Sequence, residues 1–159
     1  MGDAALVPLK SFLSGEAKRL HRENLARTFV MVEPGEVRVR AYVTVLCTHV
    51  KVEQFNNPLA VDGGFKYSDY PALKLARLAV DASLQGQGAG SALVDFVVGL
   101  AVDRVMPNVG CRFLVLDAKP NSVTFYEKKG FSRMGQVQDG ENPATTAMFV
   151  DLHKLKLPA

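Results

Sequence analysis

The chain has 159 residues, 48% of them hydrophobic and 22% charged, with a formal net charge of +3 and a mean hydropathy of +0.06. That composition excludes a disordered chain and supplies enough apolar mass for one core, so a single domain over residues 1–159 is expected. No apolar run reaches the roughly 18 residues of a membrane span, the first residues lack the basic-then-apolar form of a signal peptide, and so mild a charge does not by itself declare a nucleic-acid binder; the expectation is a cytoplasmic protein with no membrane contact.

Residues 9–24 read as a helix, because Leu9, Phe12, Leu13, Ala17 and Leu20 recur at helical spacing. Its basic residues cluster, and Lys18, Arg19 and Arg22 share a face by i, i+3 and i, i+4 spacing. That face is either a solvated surface or a track for RNA phosphates. Residues 28–33 and 37–52 read as an antiparallel hairpin about Pro34-Gly35. Residues 53–71 are polar, with Asn56-Asn57-Pro58 and Gly63-Gly64, and read as a long surface loop that could line a substrate site. A strand over 72–80 and a helix over 91–106 follow. The polar positions Ser91, Asp95, Gly99 and Asp103 form one narrow stripe, so that helix is expected to be buried on most sides. Residues 111–118 are a near-continuous apolar run, as in a buried strand. A short helix over 121–129 stops at Gly130, and residues 133–138 and 146–152 form a last hairpin.

The order α, β, β, β, α, β, α, β, β implies a mixed α/β sheet, mostly antiparallel, with a central parallel pair joined by a right-handed crossover. Cys47 and Cys111 sit in apolar runs and are expected as buried free thiols. There is no C-x-x-C pair, and His21, His49 and His153 lie far apart, so no metal site is expected.

The most informative stretch is Leu78-Ala79-Val80-Asp81-Ala82-Ser83-Leu84-Gln85-Gly86-Gln87-Gly88-Ala89-Gly90-Ser91-Ala92-Leu93. An apolar strand enters a glycine-rich turn that opens directly into an apolar helix. The glycines leave backbone N–H groups unobstructed, and a helix N-terminus carries roughly half a positive elementary charge. Together they make an anion site suited to phosphate or pyrophosphate. A dinucleotide fingerprint is excluded because the third glycine is missing at its offset, and a P-loop because no Lys follows. A glycine turn without a ligand is the alternative.

The pattern Gln85-x-x-Gly88-x-Gly90 resembles the acetyl-CoA pyrophosphate loop of the GCN5-related N-acetyltransferases, the GNAT superfamily. The segment from Asn121 through Tyr126 to Gly130-Phe131 resembles the same superfamily's last helix. The resemblance implies a single-domain GNAT fold, its parallel pair splayed around acetyl-CoA as co-substrate. Cofactor contacts are then expected at Leu78, Ala79, Val80, Gln85, Gly86, Gln87, Gly88, Ala89, Gly90 and Ser91. It also implies that Asn121 contacts the pantetheine arm and that Tyr126 protonates the thiolate leaving group. The two motifs are expected to meet where open α/β sheets bind ligands, at the ends of adjacent strands. Backbone N–H groups around Leu78, Ala79 and Val80 can stabilise the tetrahedral oxyanion, and a poised donor helps the thiolate to leave. Two plainer roles stand beside these: Tyr126 as an aromatic packed on Phe125 and Phe131, and Asn121 as a helix N-cap. No general base is evident, since Glu53, Asp69, Tyr70 and Asp81 all read as lying on a solvated face. A low-pKa amine needs none.

Over residues 9–152 the likeness narrows to one GNAT subgroup, on Leu9-x-x-Phe12-Leu13, Ala26-Arg27-Thr28-Phe29-Val30, Ala76-Arg77-Leu78-Ala79-Val80-Asp81, Phe125-Tyr126 and Gly130-Phe131. Its members are toxins of toxin–antitoxin pairs that acetylate the α-amine of aminoacyl-tRNA and are held by a ribbon–helix–helix antitoxin. By this likeness Lys18, Arg19, Arg22 and Arg77 are the tRNA candidates. Gln87 stands where the loop commonly carries Lys or Arg, and only eight residues precede Leu9, where the subgroup usually has a longer segment with an extra strand. Homodimers are common in the superfamily, but no feature here fixes an interface. Two other readings stay open: an acetyltransferase for a small-molecule or protein amine, and a GNAT fold that only binds CoA or a partner.

Overall fold

The structure, a computed structural model, describes residues 7–55, 67–135 and 144–155. The elements follow the expected order: α1 (Val7–Gly15), α2 (Ala17–Arg22), β1 (Arg27–Val32), β2 (Val39–Lys51), β3 (Asp69–Val80), α3 (Ala89–Leu100), β4 (Phe113–Ala118), α4 (Val123–Lys128), β5 (Ser132–Arg133) and β6 (Thr146–Asp151). Six strands make one mixed sheet in the order β1-β2-β3-β4-β6-β5. β3 and β4 are the parallel pair, while β1–β2, β4–β6 and β5–β6 are antiparallel. Packing divides the chain into two compact units, Met1–Leu46 with Leu75–Val98, and Cys47–Lys74 with Gly99–Ala159.

In the first unit the expected single helix is two. Ser14 Oγ donates to Lys10 O and Ser11 O at 3.1 and 3.2 Å, and back-bonding of this kind bends a helix just where Gly15 weakens it. α2 ends sharply because Asn24 takes φ 59°, the left-handed stop that Asn tolerates, and Leu25 N closes on Leu20 O at 2.9 Å. Arg27 braces this stop, donating to His21 O and Asn24 Oδ1, both at 2.6 Å. The apolar stripe of the two helices supplies Phe12 and Ala17, buried with Tyr42 of β2, and the Tyr42 hydroxyl donates to Leu9 O at 2.7 Å. β1 pairs with β2 from Arg27↔Val45 to Val32↔Val39, and the turn between them uses Gly35 at φ 81°. α3 buries Leu93, Val94 and Val97, and sets Phe96 edge-on to Phe29 at 5.0 Å.

The second unit is centred on Val50, Phe55, Tyr70, Ala72, Phe113, Val115 and Met134. Ala72, Leu73 and Lys74 pair in parallel with Phe113, Leu114 and Val115, and β4 pairs with β6 along its whole length. Arg112 holds the nearly buried Asp151 by two bonds, 2.7 and 2.9 Å. α4 stops at Gly130, φ 92°, where Phe131 N reaches back to Tyr126 O at 3.0 Å. That is the left-handed stop expected of glycine, and the Phe131 and Tyr126 rings make the apolar contact that accompanies it, 5.6 Å between centroids.

Several expectations need correction. β3 begins at Asp69 rather than 72, because Pro71, though it lacks an N–H, still accepts from Arg112 N at 2.9 Å. The helix expected over 91–106 starts at Ala89 and ends in a π-helical turn over Ala101–Val105, closed by Met106 N on Ala101 O at 2.8 Å. Its polar stripe is broader than expected, for Ala92 and Phe96 are exposed beside Asp95. Cys47 is an exposed thiol and Cys111 a half-buried one, so only the free state holds for both. The last hairpin is short, with β5 only Ser132–Arg133. Residues 56–66 of the expected long loop, the turn at 139–143 and the residues before Val7 lie outside the described residues.

Candidate active-site residues

The glycine segment lies in the first unit. β3 hands over at Asp81, whose N–H donates to Arg40 O at 2.7 Å. Asp81 caps the Ala82–Leu84 turn, accepting from Ser83 N at 2.9 Å and Ser83 Oγ at 2.7 Å. These bonds, with Arg38 at 2.9 Å, hold its carboxyl down at about 2. It is therefore anionic at neutral pH, with both oxygens already accepting, and is a weak base. Gly86 and Gly88 adopt φ 76° and 85°, and a Cβ at either would meet nothing within 4 Å. Backbone conformation rather than crowding demands glycine there. α3 starts one residue on, with Ala92 N on Gly88 O at 2.9 Å, and its first-turn N–H groups have no intrahelical acceptor. Residues 85–88 are exposed, and Ala89, Gly90 and Ser91 half-buried. Gln85 Nε2 donates to Val80 O at 3.3 Å and Gln87 Nε2 to Ser83 O at 2.8 Å, so both glutamines brace the segment. Leu78, Ala79 and Val80 are half-buried at the strand's end. Twelve residues of helix behind open, left-handed glycines suit a pyrophosphate.

Asn121 and Tyr126 lie in the second unit. Tyr126 is 8% exposed, with Phe125 and Phe131 edge-on at 4.9 and 5.6 Å. Burial pushes its hydroxyl up to about 12. The ring is thus an aromatic packed at a helix end, and its phenol is one that stays protonated and can only donate near neutral pH. Asn121 is exposed in the Pro120–Ser122 turn; Ser122 takes the N-cap position of α4, so the capping role expected of Asn121 does not hold. Of the other groups considered as bases, Glu53 is exposed as expected and Asp69 lies 3.7 Å from His49 Nε2, but Tyr70 is not on a solvated face: it is buried in the core against Phe113.

Lys18, Arg19 and Arg22 are exposed on α2. Lys18, His21 and Arg22 rim a groove of about 350 Å³ floored by Leu13, Ala17, Val30 and Val39. Arg77 differs: it is half-buried, with its guanidinium 4.1 Å over the Phe12 ring. Sequence reasoning missed Arg38 and Arg40, which reach the corner between β3 and the glycine segment, and the ion pair of Lys74 with Asp117 at 2.7 Å, which edges a pocket of about 110 Å³. The Arg38-x-Arg40 doublet at the head of a long strand was visible, but nothing local ties it to residues more than forty positions on. Among the described residues no cluster of His, Cys, Asp and Glu could hold a metal ion, and no helix is long and apolar enough to cross a membrane.

The model of the GNAT acetyltransferase domain matches residues 60–152. Three solved structures are similar over most of the chain. AtaT complexed with acetyl-methionyl-tRNAfMet is 27% identical with a TM-score of 0.79, over 92% of this chain and 82% of that one. A tyrosine-to-phenylalanine mutant of KacT is 26% identical with a TM-score of 0.81, over 96% and 84%. The corresponding kind of mutant of the AtaT toxin, bound to the C-terminus of the antitoxin AtaR and acetyl-CoA, is 26% identical with a TM-score of 0.70, over 96% and 82%. The mixed sheet, the left-handed glycine segment opening α3 and the family match lead to one assignment: the chain belongs to the GNAT acetyltransferases, enzymes that move an acetyl group from acetyl-CoA to an amine.

Proposed function

We propose that this enzyme acetylates the α-amine of an aminoacyl-tRNA and acts in the cytoplasm as a translation-blocking toxin restrained by an antitoxin. The observation that carries the reading is the likeness to AtaT, seen with acetyl-methionyl-tRNAfMet, over 92% of this chain. The exposed cations of α2 support it, because Lys18, Arg19 and Arg22 are open to phosphate contacts and none is ion-paired among the described residues. Arg77, stacked on Phe12, adds a positive charge held in place.

In the proposed chemistry the backbone of residues 85–91 takes the pyrophosphate, and the Asn121 amide takes the pantetheine arm. The neutral amine attacks the thioester carbon, forming the C–N bond. Backbone N–H groups around Leu78, Ala79 and Val80 bear the oxyanion charge. As the C–S bond breaks, Tyr126 gives its proton to the sulfur; the acetylated nitrogen releases its own to water, from which Tyr126 is reprotonated. An aminoacyl ester has a low-pKa amine, already partly neutral near pH 7, so this scheme needs no protein base.

The test is acetyl transfer from labelled acetyl-CoA into a pool of charged tRNA, with uncharged tRNA as control. Label confined to the charged pool, and leaving with the amino acid on ester hydrolysis, is expected. Acetyl-CoA binding without such label would overturn the tRNA reading and move the acceptor to a small-molecule or protein amine.

A further inference from the structure

Arg40 occupies a costly position. Its Nε is buried without a hydrogen-bond partner among the described residues, and an orphaned buried donor opposes folding. An apolar side chain would fill that space without the penalty. What the guanidinium gains is reach: Nη2 donates to Ser83 Oγ at 2.7 Å and Nη1 to Glu33 at 2.9 Å. Ser83 is a hub. Its hydroxyl accepts from Arg40 and donates to Asp81 at 2.7 Å, its N–H donates to Asp81 at 2.9 Å, and its carbonyl accepts from Gln87 Nε2 at 2.8 Å. The main chain doubles the link, since Asp81 N donates to Arg40 O at 2.7 Å. Arg40 also walls a cleft of about 390 Å³ together with Leu84, Gln87, Gly88, Ala89 and Ala92.

Gln87 sits between the two left-handed glycines, Gly86 and Gly88. Such glycines are the most expensive residues to order, and a segment ordered in advance binds more tightly. Resting on the reading that residues 85–91 hold the pyrophosphate of acetyl-CoA, we infer that Arg40 is a positioning residue for the co-substrate, acting through Ser83 and Gln87. Residue 87 then holds the segment's shape through its bond to Ser83 O. Arg38, bonded to Asp81, steadies the same corner.

The test uses the full chain, with titration calorimetry for acetyl-CoA, steady-state kinetics and thermal melting. Arg40→Met should raise Kd and KM for acetyl-CoA about tenfold, which is about 1.4 kcal/mol, with kcat at saturation within twofold. Ser83→Ala should do the same, and the double variant should be no weaker than either single one, because both cut one path. A lowered Tm with unchanged Kd would make Arg40 merely structural, and fully additive losses would break the path through Ser83; either overturns the inference. Should Arg40→Met fail to fold, Gln87→Ala carries the test, with a severalfold rise in Kd expected and no change refuting it. A wild-type protein that does not bind acetyl-CoA would instead remove the co-substrate assignment itself, and the brace with it.

Discussion

Tyr126→Phe separates the packing of this ring from its chemistry. The substitution keeps the edge-on contacts at 4.9 and 5.6 Å and removes one oxygen. Stability near pH 8 should therefore change by less than about 1 kcal/mol. The hydroxyl is pushed from 10.0 to about 12 by burial. A tyrosine raised in the folded state is neutral in both states below pH 10. Between about pH 10 and 12 the unfolded chain releases the proton while the folded one keeps it, so the folded state loses ground as pH rises. Two units amount to about 2.7 kcal/mol in all, with about 1.4 kcal/mol lost by pH 11. The Phe variant lacks this loss, and urea melts at pH 8 and 11 read the difference between the two proteins. If the hydroxyl also protonates the departing thiolate, kcat for acetyl transfer should fall about 100-fold, the low end for a general acid because a thiolate leaves fairly well unaided. Kd for acetyl-CoA should stay within twofold. A proton donor at about 12 also leaves kcat flat through pH 10. An unchanged kcat in the variant would refute the catalytic role. A fall in wild-type kcat between pH 8 and 10 that vanishes in the variant would refute the protonation state derived from burial.

Gly88→Glu places a side chain at φ 85° and an anion in the glycine segment; it should abolish acetyl-CoA binding in calorimetry, and unchanged affinity would mean that the phosphates bind elsewhere. Arg112→Ala leaves Asp151, whose side chain is 7% exposed, with the His153 N–H at 3.2 Å but without its cation; the expected cost is about 3–5 kcal/mol in urea unfolding, recovered only in part by adding Asp151→Ala, which also removes the cap on the turn after β6. Arg22→Ala should flatten the salt dependence of tRNA binding, lowering the log–log slope by about 1; an identical slope in filter binding would take Arg22 out of the interface.

What could be read from the sequence was what is written locally. Gly88 announces its own left-handed backbone, and Tyr126, Gly130 and Phe131 make a helix stop whose partners are at most five residues apart. The apolar run of β4 reads as buried because both of its faces are covered, with Phe113 through Leu116 all buried. The same logic failed at Cys47, which sits where β2 turns half-exposed, alternating from Cys47 to Val50. An apolar stretch does not say where its cover ends. It failed at Pro71 because the missing N–H forbids only donation, and the structure there uses the carbonyl.

Gln87 is the sharper case. By the resemblance to the GNAT loop alone, it stands where Lys or Arg is common. In the fold its amide is spent on Ser83 O, and Ser83 is held in turn by Arg40 from a strand more than forty positions earlier. A cation in a loop attracts phosphate by charge and is screened by salt, whereas a braced loop binds through backbone N–H groups already in place. The two designs predict different salt dependence for acetyl-CoA: in this chain, replacing Gln87 by Lys should steepen it while costing the bond to Ser83. A Gln87→Lys variant that bound more tightly at low salt, with no loss at high salt, would show that charge outweighs the brace at this position.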